Sequence, residues 1–342
     1  MASVSSDPHD PGPAAAGERA AEVGDAASRP VQVRGGGEIR VGVASWTDPT
    51  MTASGVFYPP DVTTAEERLR YYATRYPLVE VDSTYYALPP ESMSQRWAER
   101  TPPNFVFDVK AHALMTGQPT ETRRLPKSIR EALPEGLREK GRLYAKDLPP
   151  ELTDEFWAAF RRSIEPLRAS GKLGTVFLQF PRWVFPSHDA RQRIREARER
   201  LGDLRIAVEF RTGSWFNEKN AERTLSFLSE NAIPYVIVDE PQGFKSSVPP
   251  VAAATSPDLA VARFHGRRAD TWERRDVEPS ERFRYLYDED ELADWAPTIL
   301  DVASKAKETH VLMNNCYSNY GTTNAAEMAR LLRELQERAQ HS

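Results

Sequence analysis

The stretch Leu78-Val79-Glu80-Val81-Asp82-Ser83-Thr84-Tyr85-Tyr86 has the pattern of a β-strand with acids on one face. Val79 and Val81 fall on one face of such a strand, and Glu80 and Asp82 fall on the other. A buried carboxylate is costly unless it is paired, so packing alone does not explain these acids. Seven further short apolar runs end in polar residues, and they cover Val41 to Trp46, Phe105 to Lys110, Thr175 to Gln179, Ile206 to Arg211, Tyr235 to Asp239, Ala260 to His265 and His310 to Asn315.

The eight runs, separated by helical or loop segments, predict an α/β fold of the TIM-type (β/α)8 barrel class. We expect a single domain over residues 38–340, because such a barrel commonly takes about 250 residues. The helix after the sixth strand is expected to be missing or irregular, since residues 240–258 include four prolines. An insertion over about residues 114–150 follows the third strand, and its length indicates a lid or an added surface.

The composition places the chain among globular proteins, with a tail at the N-terminus. Residues 1–37 are mainly Ala, Gly, Pro, Ser and charged residues, which predicts a disordered segment. The single cysteine, Cys316, favours a reducing compartment, and neither a signal peptide nor an apolar run of membrane-spanning length is visible. We therefore expect a cytoplasmic protein with no membrane partner.

A set of motifs spread over about residues 39–335 has the order and spacing of a known family. The motifs are Tyr71-Tyr72-Ala73, Val79 to Tyr86, Phe107 to Ala111, Gln179-Phe180-Pro181, Val208-Glu209-Phe210-Arg211, Arg263-Phe264-His265-Gly266, Tyr285-Leu286-Tyr287, Asn314-Asn315 and Asn324-Ala325. The chain resembles domain-of-unknown-function family 72, also called YecE-like. The resemblance implies a TIM-type barrel, distantly similar to the xylose-isomerase and endonuclease-four-like barrels. It implies no particular reaction, because the family is named for lacking one.

Chemistry in this fold is expected at the carboxyl ends of the strands. The candidate catalytic residues there are three acids and one histidine: Glu80, Glu209, Asp239 and His265. The candidate substrate-binding residues are cations, amides, a hydroxyl and an indole: Trp46, Thr84, Lys110, Gln179, Arg211, Arg263, Asn314 and Asn315. We expect the strand-end side chains to meet in one cleft, although the alternation does not show which face of the sixth and eighth strands points inward.

Two other interpretations of these residues stay open. The acids and cations could neutralise each other in a purely structural ion-pair network. The four candidate catalytic residues could also bind a divalent metal ion, since carboxylates and imidazole are suitable ligands. Lys110, Arg211 and Arg263 oppose a metal because cations repel it, and no His-x-His or cysteine pair is present. No cofactor is therefore predicted, and a divalent metal is kept as an alternative.

The cations favour a small anionic or polyhydroxyl ligand, because arginine binds phosphate or carboxylate through paired hydrogen bonds. We expect an enzyme, a hydrolase or an isomerase, that acts on a small phosphorylated or sugar-containing ligand with acid and base carboxylates. A nucleic-acid-binding or endonuclease-four-like barrel is less favoured: residues 263–284 are rich in arginine, but the net charge is −5. A non-catalytic ligand-binding or scaffold protein is the third alternative. The sequence indicates no oligomeric state.

Overall fold

Eight parallel strands form a nearly closed barrel in the computed structural model, which describes residues 7–274 and 276–340. The barrel strands are β1 (Glu38–Val43), β2 (Leu78–Val81), β3 (Val106–Lys110), β4 (Leu173–Gln179), β5 (Ile206–Glu209), β6 (Val236–Asp239), β7 (Leu259–Phe264) and β8 (Glu308–Met313). Parallel ladders join them in the order β5-β4-β3-β2-β1-β8-β7-β6. A parallel bridge between Val208 and Tyr235 brings β5 and β6 together and completes the ring.

The helices of the described residues surround this barrel. They are α1 (Pro13–Val23), α2 (Pro49–Ser54), α3 (Ala65–Arg75), α4 (Glu91–Glu99), α5 (Lys127–Ala132), α6 (Glu135–Arg138), α7 (Pro150–Ala169), α8 (His188–Leu201), α9 (Ala221–Glu230), α10 (Pro279–Arg282), α11 (Glu289–Ala303) and α12 (Tyr320–Gln340). Each of the eight polar-ended runs overlaps one barrel strand, so the predicted α/β barrel is confirmed. Among the described helices, none combines the length and the apolar character that a membrane span requires.

The connection between β6 and β7 contains no helix in residues 240–258, all of which are described. The sequence predicted this, because proline lacks the N–H group that a helix interior needs. Side chains organise the loop instead: the backbone N–H of Val248 donates to Glu240 Oε1 at 2.7 Å. The Ser247 hydroxyl donates to the carbonyl of Pro241 at 2.6 Å. The loop therefore holds the Glu240 side chain in place without a helix.

The N-terminal segment differs from the disorder predicted over residues 1–37. α1 packs against α12, and Ala16 on α1 is fully buried. Arg19 donates to a carboxylate oxygen of Glu327 and to the carbonyl of Tyr287, each at 2.7 Å. Val31–Gln32 pair with the start of β1 as an antiparallel strand. Composition failed here because tertiary contacts with the barrel stabilise a segment whose own residues cannot form a core; residues 1–6 lie outside the described part.

The insertion over residues 114–150 is folded against the side of the barrel. Its short strands Thr120–Glu121 and Arg142–Leu143 form an antiparallel pair. α5 packs against α7, with Ile129 buried. Gln118, near the start of the insertion, donates to the carbonyl of Gln179 at 3.4 Å. The insertion is thus an added surface that reaches the carboxyl end of β4.

A buried pair lies inside the barrel nearer the amino ends of the strands. Asp108 on β3 accepts a hydrogen bond from the backbone N–H of Thr175 at 3.0 Å and lies 2.8 Å from Nδ1 of His310 on β8. A Cβ atom on Gly174 would lie 2.2 Å from Asp108 Oδ1, so only glycine fits there. This pair joins three strands and fixes the barrel below the carboxyl-end residues.

Candidate functional site

Arg263, near the end of β7, is the centre of a buried charged cluster. Its side chain is 2% exposed, and its Nη2 atom donates to Glu80 Oε1 at 2.9 Å. Its Nη1 atom donates to Glu209 Oε2, and Nη2 also lies 3.3 Å from Asn314 Oδ1. Side chains from the ends of β2, β5, β7 and β8 therefore meet at one guanidinium group.

Glu209, the last residue of β5, is surrounded by donors. Besides Arg263, Gln179 Nε2 donates to Glu209 Oε1 at 2.7 Å and Arg211 Nη1 lies 3.4 Å from the same oxygen. His265 Nε2 lies 3.2 Å from Glu209 Oε1. Burial alone would raise the pKa of this carboxyl, but nearby positive charge, mainly that of Arg263, outweighs burial and holds the pKa well below its usual value. Glu209 is therefore an anion at neutral pH.

His265 is a neutral imidazole in this cluster. Its Nδ1 atom lies 2.8 Å from Asn314 Nδ2, an amide nitrogen that only donates, so the ring proton resides on Nε2 and faces Glu209. Burial lowers the pKa of His265 to about 4, although the Glu209 carboxylate opposes the shift. At neutral pH this imidazole therefore carries no positive charge and does not act as a cationic acid.

The pKa of Glu80, on β2, shifts in the opposite direction from that of Glu209. Burial raises the pKa of its carboxyl to about 7, and Arg263 and Lys110 oppose the rise only in part. Both protonation states are then populated near neutrality, which is the property that a general acid or base needs. Two carboxyls with separated pKa values are a common basis for different catalytic roles in one site.

Lys110, the last residue of β3, has an ammonium group that is not engaged in an ion pair with another described residue. Its ammonium nitrogen lies 4.9 Å from the centroid of the Tyr85 ring, and its side chain forms no ion pair or hydrogen bond with another described residue. Burial and Arg263 lower the pKa of this amine, while Glu80 and other nearby carboxylates oppose the shift. The ammonium is therefore able to receive the negative charge of a ligand.

Glu240, the residue after β6, belongs to the cluster, and sequence reasoning missed it. Its Oε2 atom lies 3.0 Å from Arg211 Nη1, and burial raises its pKa to about 7 against the opposing effect of Arg211. The neighbouring Asp239 was predicted instead, because residues 236–238 are all apolar and give no alternation to follow. Two adjacent acids before Pro241 were the available signal that one of them faces inward.

Asp239 points away from the cluster and toward α11, which differs from the predicted convergence. Its carboxylate accepts hydrogen bonds from the Tyr287 hydroxyl, from Trp295 Nε1 and from Arg267 Nη2, each at 2.7 Å. Successive side chains of a strand face opposite ways, so Asp239 and Glu240 cannot both point into the barrel. Asp239 joins β6 to α11.

Trp46 was predicted to bind substrate at the strand ends, but its ring lies elsewhere. It packs edge-on against Trp97 of α4, with ring centroids 5.6 Å apart, and against Phe107 at 6.3 Å. β1 ends at Val43, so the strand alternation used to place Trp46 does not extend that far. Trp46 is part of the layer between strands and helices.

Thr84 and Asn315 also have structural partners and do not face the cluster. The Thr84 hydroxyl contacts the carbonyls of Val81, at 2.9 Å, and Lys110, and so connects the ends of β2 and β3. Asn315 Nδ2 donates to the carbonyl of Tyr285 at 2.9 Å. The other predicted strand-end residues do meet: Glu80, Lys110, Gln179, Glu209, Arg211, Arg263, His265 and Asn314.

A cleft of about 290 Å³ opens above this cluster. Gln179 and Arg211 line the cleft and also contact Glu209, so the cluster forms its floor. Arg182 and Arg282 line it as well, and neither forms an ion pair with a described residue. Arg282 Nε is buried without a hydrogen-bond partner. Burial and the charges of Arg211 and Arg182 lower the pKa of Arg282, which shows that the arginines are crowded together.

The side chains that line the cleft carry more positive than negative charge. Four arginines and one glutamate are among the lining residues: Arg182, Arg211, Arg274, Arg282 and Glu273. Arg274 is paired with Asp276 at 2.6 Å, and Glu273 accepts a hydrogen bond from Ser246 at 2.8 Å. Arg182, Arg282 and Glu273 are therefore the lining charges without an ion-pair partner among the described residues, and together they leave one positive charge in excess. These arginines were missed because they lie in loops and a short helix, where no strand pattern applies.

A larger cavity of about 520 Å³ lies between the loop after β6 and α11, where a missing helix would otherwise pack. Asp239, Arg267 and Trp295 line this cavity, but Arg267 and Trp295 both donate to Asp239. Asp239 and Arg267 already satisfy one another, and the other ionisable side chains that line the cavity, Glu240 and Asp294, are acids, so no cation is left there for an anionic ligand. The cleft above Glu209 is therefore the better candidate for a functional site.

The residues considered as metal ligands do not form a metal-compatible group. Glu80 and Glu209 are paired with Arg263, and Asp239 points to α11. In the described part of the chain, the residues with suitable mutual spacing are His9, Asp288 and Glu291. Asp288 and Glu291 already cap the start of α11 through reciprocal hydrogen bonds. We assign no metal ion to either place.

The fold and the site define a class: an α/β barrel whose strand ends hold a buried charged cluster beneath an arginine-lined cleft. The chain belongs to the family described as protein of unknown function DUF72, whose model matches residues 40–342. A curated relative is the UPF0759 protein YunF of Bacillus subtilis (strain 168). It is 31% identical over 297 residues, which are 86% of this chain and 94% of that protein.

Solved structures from the same family have a similar fold. A DUF72 family protein of Enterococcus faecalis V583 superposes with a TM-score of 0.68 at 30% identity, and the match covers 86% of this chain and 95% of that one. A DUF72 family protein of Thermotoga maritima MSB8 gives a TM-score of 0.67 at 28% identity, over 87% of this chain and 99% of that one. The resemblance identified from the motifs is thereby confirmed.

Proposed function

We propose that this protein is an enzyme, a hydrolase or an isomerase, that acts on a small phosphorylated, sugar-containing ligand in the cleft. The main support is the unbalanced positive charge of Arg182 and Arg282 above a cluster that includes a carboxyl with a pKa near 7. Arginine forms paired, charge-assisted hydrogen bonds with phosphate. A concave surface of one charge sign also concentrates the potential that attracts an anion.

The ligand's phosphate is assigned to Arg182, Arg211 and Arg282. Arg211 contacts Glu240 at 3.0 Å and Glu209 at 3.4 Å. An anion bound to the cleft-facing side of its guanidinium would therefore be linked through Arg211 to both acids. Trp272 lies under the Arg211 guanidinium, 4.9 Å from ring centroid to Cζ, and limits the orientations of that group. A phosphate bound there therefore places the rest of the ligand near the cluster.

Glu80 is assigned the proton-transfer role and Glu209 an electrostatic one. Glu80 can gain or lose a proton near neutral pH, because burial raises its pKa to about 7. Glu209 stays ionised and orients the neutral imidazole of His265, which lies 3.2 Å away. Lys110 adds positive charge beside Glu80, where it can stabilise an oxyanion that forms on the ligand.

A ligand in the cleft would have to pass Tyr85 and Gln118, which are hydrogen bonded to each other, in order to reach Lys110. The Tyr85 hydroxyl donates to Gln118 Oε1 at 2.7 Å, and Gln118 lines the cleft. The Tyr85 ring lies 4.9 Å from the Lys110 ammonium, so the pair covers this cation. We expect a bound ligand to displace Gln118 and so reach Lys110 and Glu80.

The two other functional interpretations have less support from the geometry. A purely structural network needs balanced charges, yet Arg182 and Arg282 have no carboxylate partner among the described residues. A nucleic-acid surface made by residues 263–284 is opposed by local pairing: Arg267 binds Asp239, and Arg284 binds Asp10 at 2.9 Å. The arginines outside the cleft are thus largely neutralised.

Thermal-shift titrations with inorganic phosphate, ribose 5-phosphate and ribose test the anion site. We expect both phosphorylated compounds to raise the Tm and ribose to leave it unchanged. Arg282→Gln removes a charge-assisted contact of about 1.5–3 kcal/mol, so it should weaken the binding of ribose 5-phosphate by roughly ten- to a hundred-fold. The matched control is Arg223→Gln, on the exposed face of α9, which should respond like the wild type. A wild-type response from Arg282→Gln, or equal stabilisation by ribose, would show that the anion site is wrongly assigned.

A further inference from the structure

A second cavity of about 330 Å³ adjoins the cleft, and it has a different character. Gln118 and Trp183 line both spaces, so the two are separated by no more than these side chains. Tyr85, Tyr86 and Arg124 line the second cavity. Taken together, the two spaces fall within the range of about 300–1,000 Å³ that is typical of ligand pockets.

The aromatic side chains of the second cavity are unusually open. Trp183 is 54% exposed and Tyr86 is 50% exposed, whereas Trp46, Trp97 and Trp215 are each at most 7% exposed. Trp183 follows β4 in a loop, at the boundary between the cavity and the arginine-lined cleft. Exposed aromatic faces beside a cationic cleft provide a flat apolar surface next to a phosphate site.

Arginine strengthens this aromatic surface. The Arg124 guanidinium carbon lies 5.5 Å from the centroid of the Tyr86 ring. Aromatic and guanidinium planes both stack on nucleobases, and such stacking tolerates any base because every base has a π face. A bare sugar phosphate would fill the arginine-lined cleft and leave these faces uncovered.

We propose that the ligand is a nucleoside phosphate, with its phosphate on Arg182 and Arg282 and its base against Trp183 and Tyr86 in the second cavity. The assignment rests on the proposed anion site and names the chemical class of its ligand. The shared chemistry is that of a nucleotide, whether it is free or part of a strand. The ribose then lies between the two spaces, beside Gln118, whose displacement opens the way to Lys110.

Calorimetric titration of the full chain with uridine 5′-monophosphate, ribose 5-phosphate, inorganic phosphate and the trinucleotide of uridine tests this proposal. We expect the mononucleotide to bind roughly ten- to a hundred-fold more tightly than ribose 5-phosphate, since stacking of one base contributes about that much. Trp183→Leu should abolish this difference, and Tyr86→Leu, at a residue that lines only the second cavity, should reduce it while keeping the affinity for ribose 5-phosphate. Phe185→Leu is the matched control, because Phe185 is 58% exposed in the same loop and lines neither space.

The outcomes separate this proposal from the anion site on which it rests. Equal binding of the mononucleotide and ribose 5-phosphate, both dependent on Arg282, would overturn the nucleotide class and keep the phosphate site. Binding of neither compound would overturn both. Equal losses from Trp183→Leu and Phe185→Leu would also contradict base stacking. A trinucleotide that binds more tightly than the mononucleotide identifies a strand as the source, and one that binds no more tightly identifies a free nucleotide.

Discussion

Arg263 shows how a single residue determines the state of several others. Its guanidinium lies between Glu80 and Glu209, yet the two carboxyls have pKa values that move in opposite directions. Glu209 has further donors in Gln179 and Arg211, whereas burial is the larger effect at Glu80. The number of donors around each carboxyl therefore separates a permanent anion from a group that titrates near neutrality.

Replacing Arg263 by methionine should destabilise the fold strongly. Glu80 and Glu209 are both fully buried, and the substitution leaves their carboxyls without their shared cation. We expect the free energy of unfolding to fall by about 3–5 kcal/mol, as measured by urea denaturation. Arg223→Met, on the exposed face of α9, should change stability by less than about 0.5 kcal/mol. A loss below about 1 kcal/mol in Arg263→Met would show that the cluster is not a coupled network.

Glu80→Gln should flatten the dependence of stability on pH. The folded-state pKa of about 7 lies above the usual 4.5, so the folded protein binds this proton more tightly than the unfolded chain does. The contribution of this proton binding to the stability of the folded protein is then complete below about pH 4.5 and is lost as the pH rises through about 7. Removing the group should reduce the decline in unfolding free energy between about pH 5 and pH 8 by on the order of 3 kcal/mol.

Urea denaturation at several pH values measures this effect. Glu222→Gln, an exposed acid on α9, provides the comparison and should keep the wild-type slope. A Glu80→Gln variant whose stability falls as steeply as that of the wild type would mean that Glu80 is ionised throughout this range.

At the scale of elements, the strand ends explain why much of the cluster could be predicted. β2, β3 and β5 alternate clearly, so Glu80, Lys110 and Glu209 could be placed inside the barrel from sequence. β6 is apolar on both faces, so the sequence could not show whether Asp239 or Glu240 points into the barrel. The alternation of side chains along a strand shows which residues point inward when one face is polar, and it does not show this when both faces are apolar and buried.

The positions of side chains in the loops above the strands could not be predicted from strand alternation. Arg182, Trp183 and Arg282 have no periodic pattern, and their positions depend on how the connections after β4 and β7 fold over the mouth. α1 was also missed, because its stability comes from contacts with α12 that only the folded chain provides. Sequence therefore predicted the floor of the candidate site and not its walls.

Asp239→Asn separates a structural role from a catalytic one. The carboxylate of Asp239 joins β6 to α11 through Trp295 and to the β7 loop through Arg267. We expect the substitution to lower the free energy of unfolding by about 1–3 kcal/mol, because a buried charged acceptor is lost. The affinity for ribose 5-phosphate, measured by calorimetry, should stay unchanged. A large loss of affinity with little change in stability would return Asp239 to the ligand site.

At the scale of the whole molecule, the barrel has two charged layers with different purposes. Asp108 and His310 lie nearer the amino ends, where Asp108 outweighs the effect of burial and raises the pKa of His310. Above them, Arg263 and its carboxylates form the cluster at the carboxyl ends. The lower pair is fully buried, with Glu308 3.7 Å from His310 Nε2, whereas the upper cluster opens into a cleft with excess positive charge. This asymmetry agrees with the general location of function in barrels of this kind.

The central claim is that an anion binds in the cleft above Glu209, and a crystal structure of the full chain soaked with ribose 5-phosphate tests it most directly. We expect a phosphate group within hydrogen-bonding distance of Arg182 and Arg282, with the sugar directed toward Gln118. Density for the ligand in the cavity between the β6 loop and α11 beside Arg267, with the cleft empty at a saturating concentration, would contradict it.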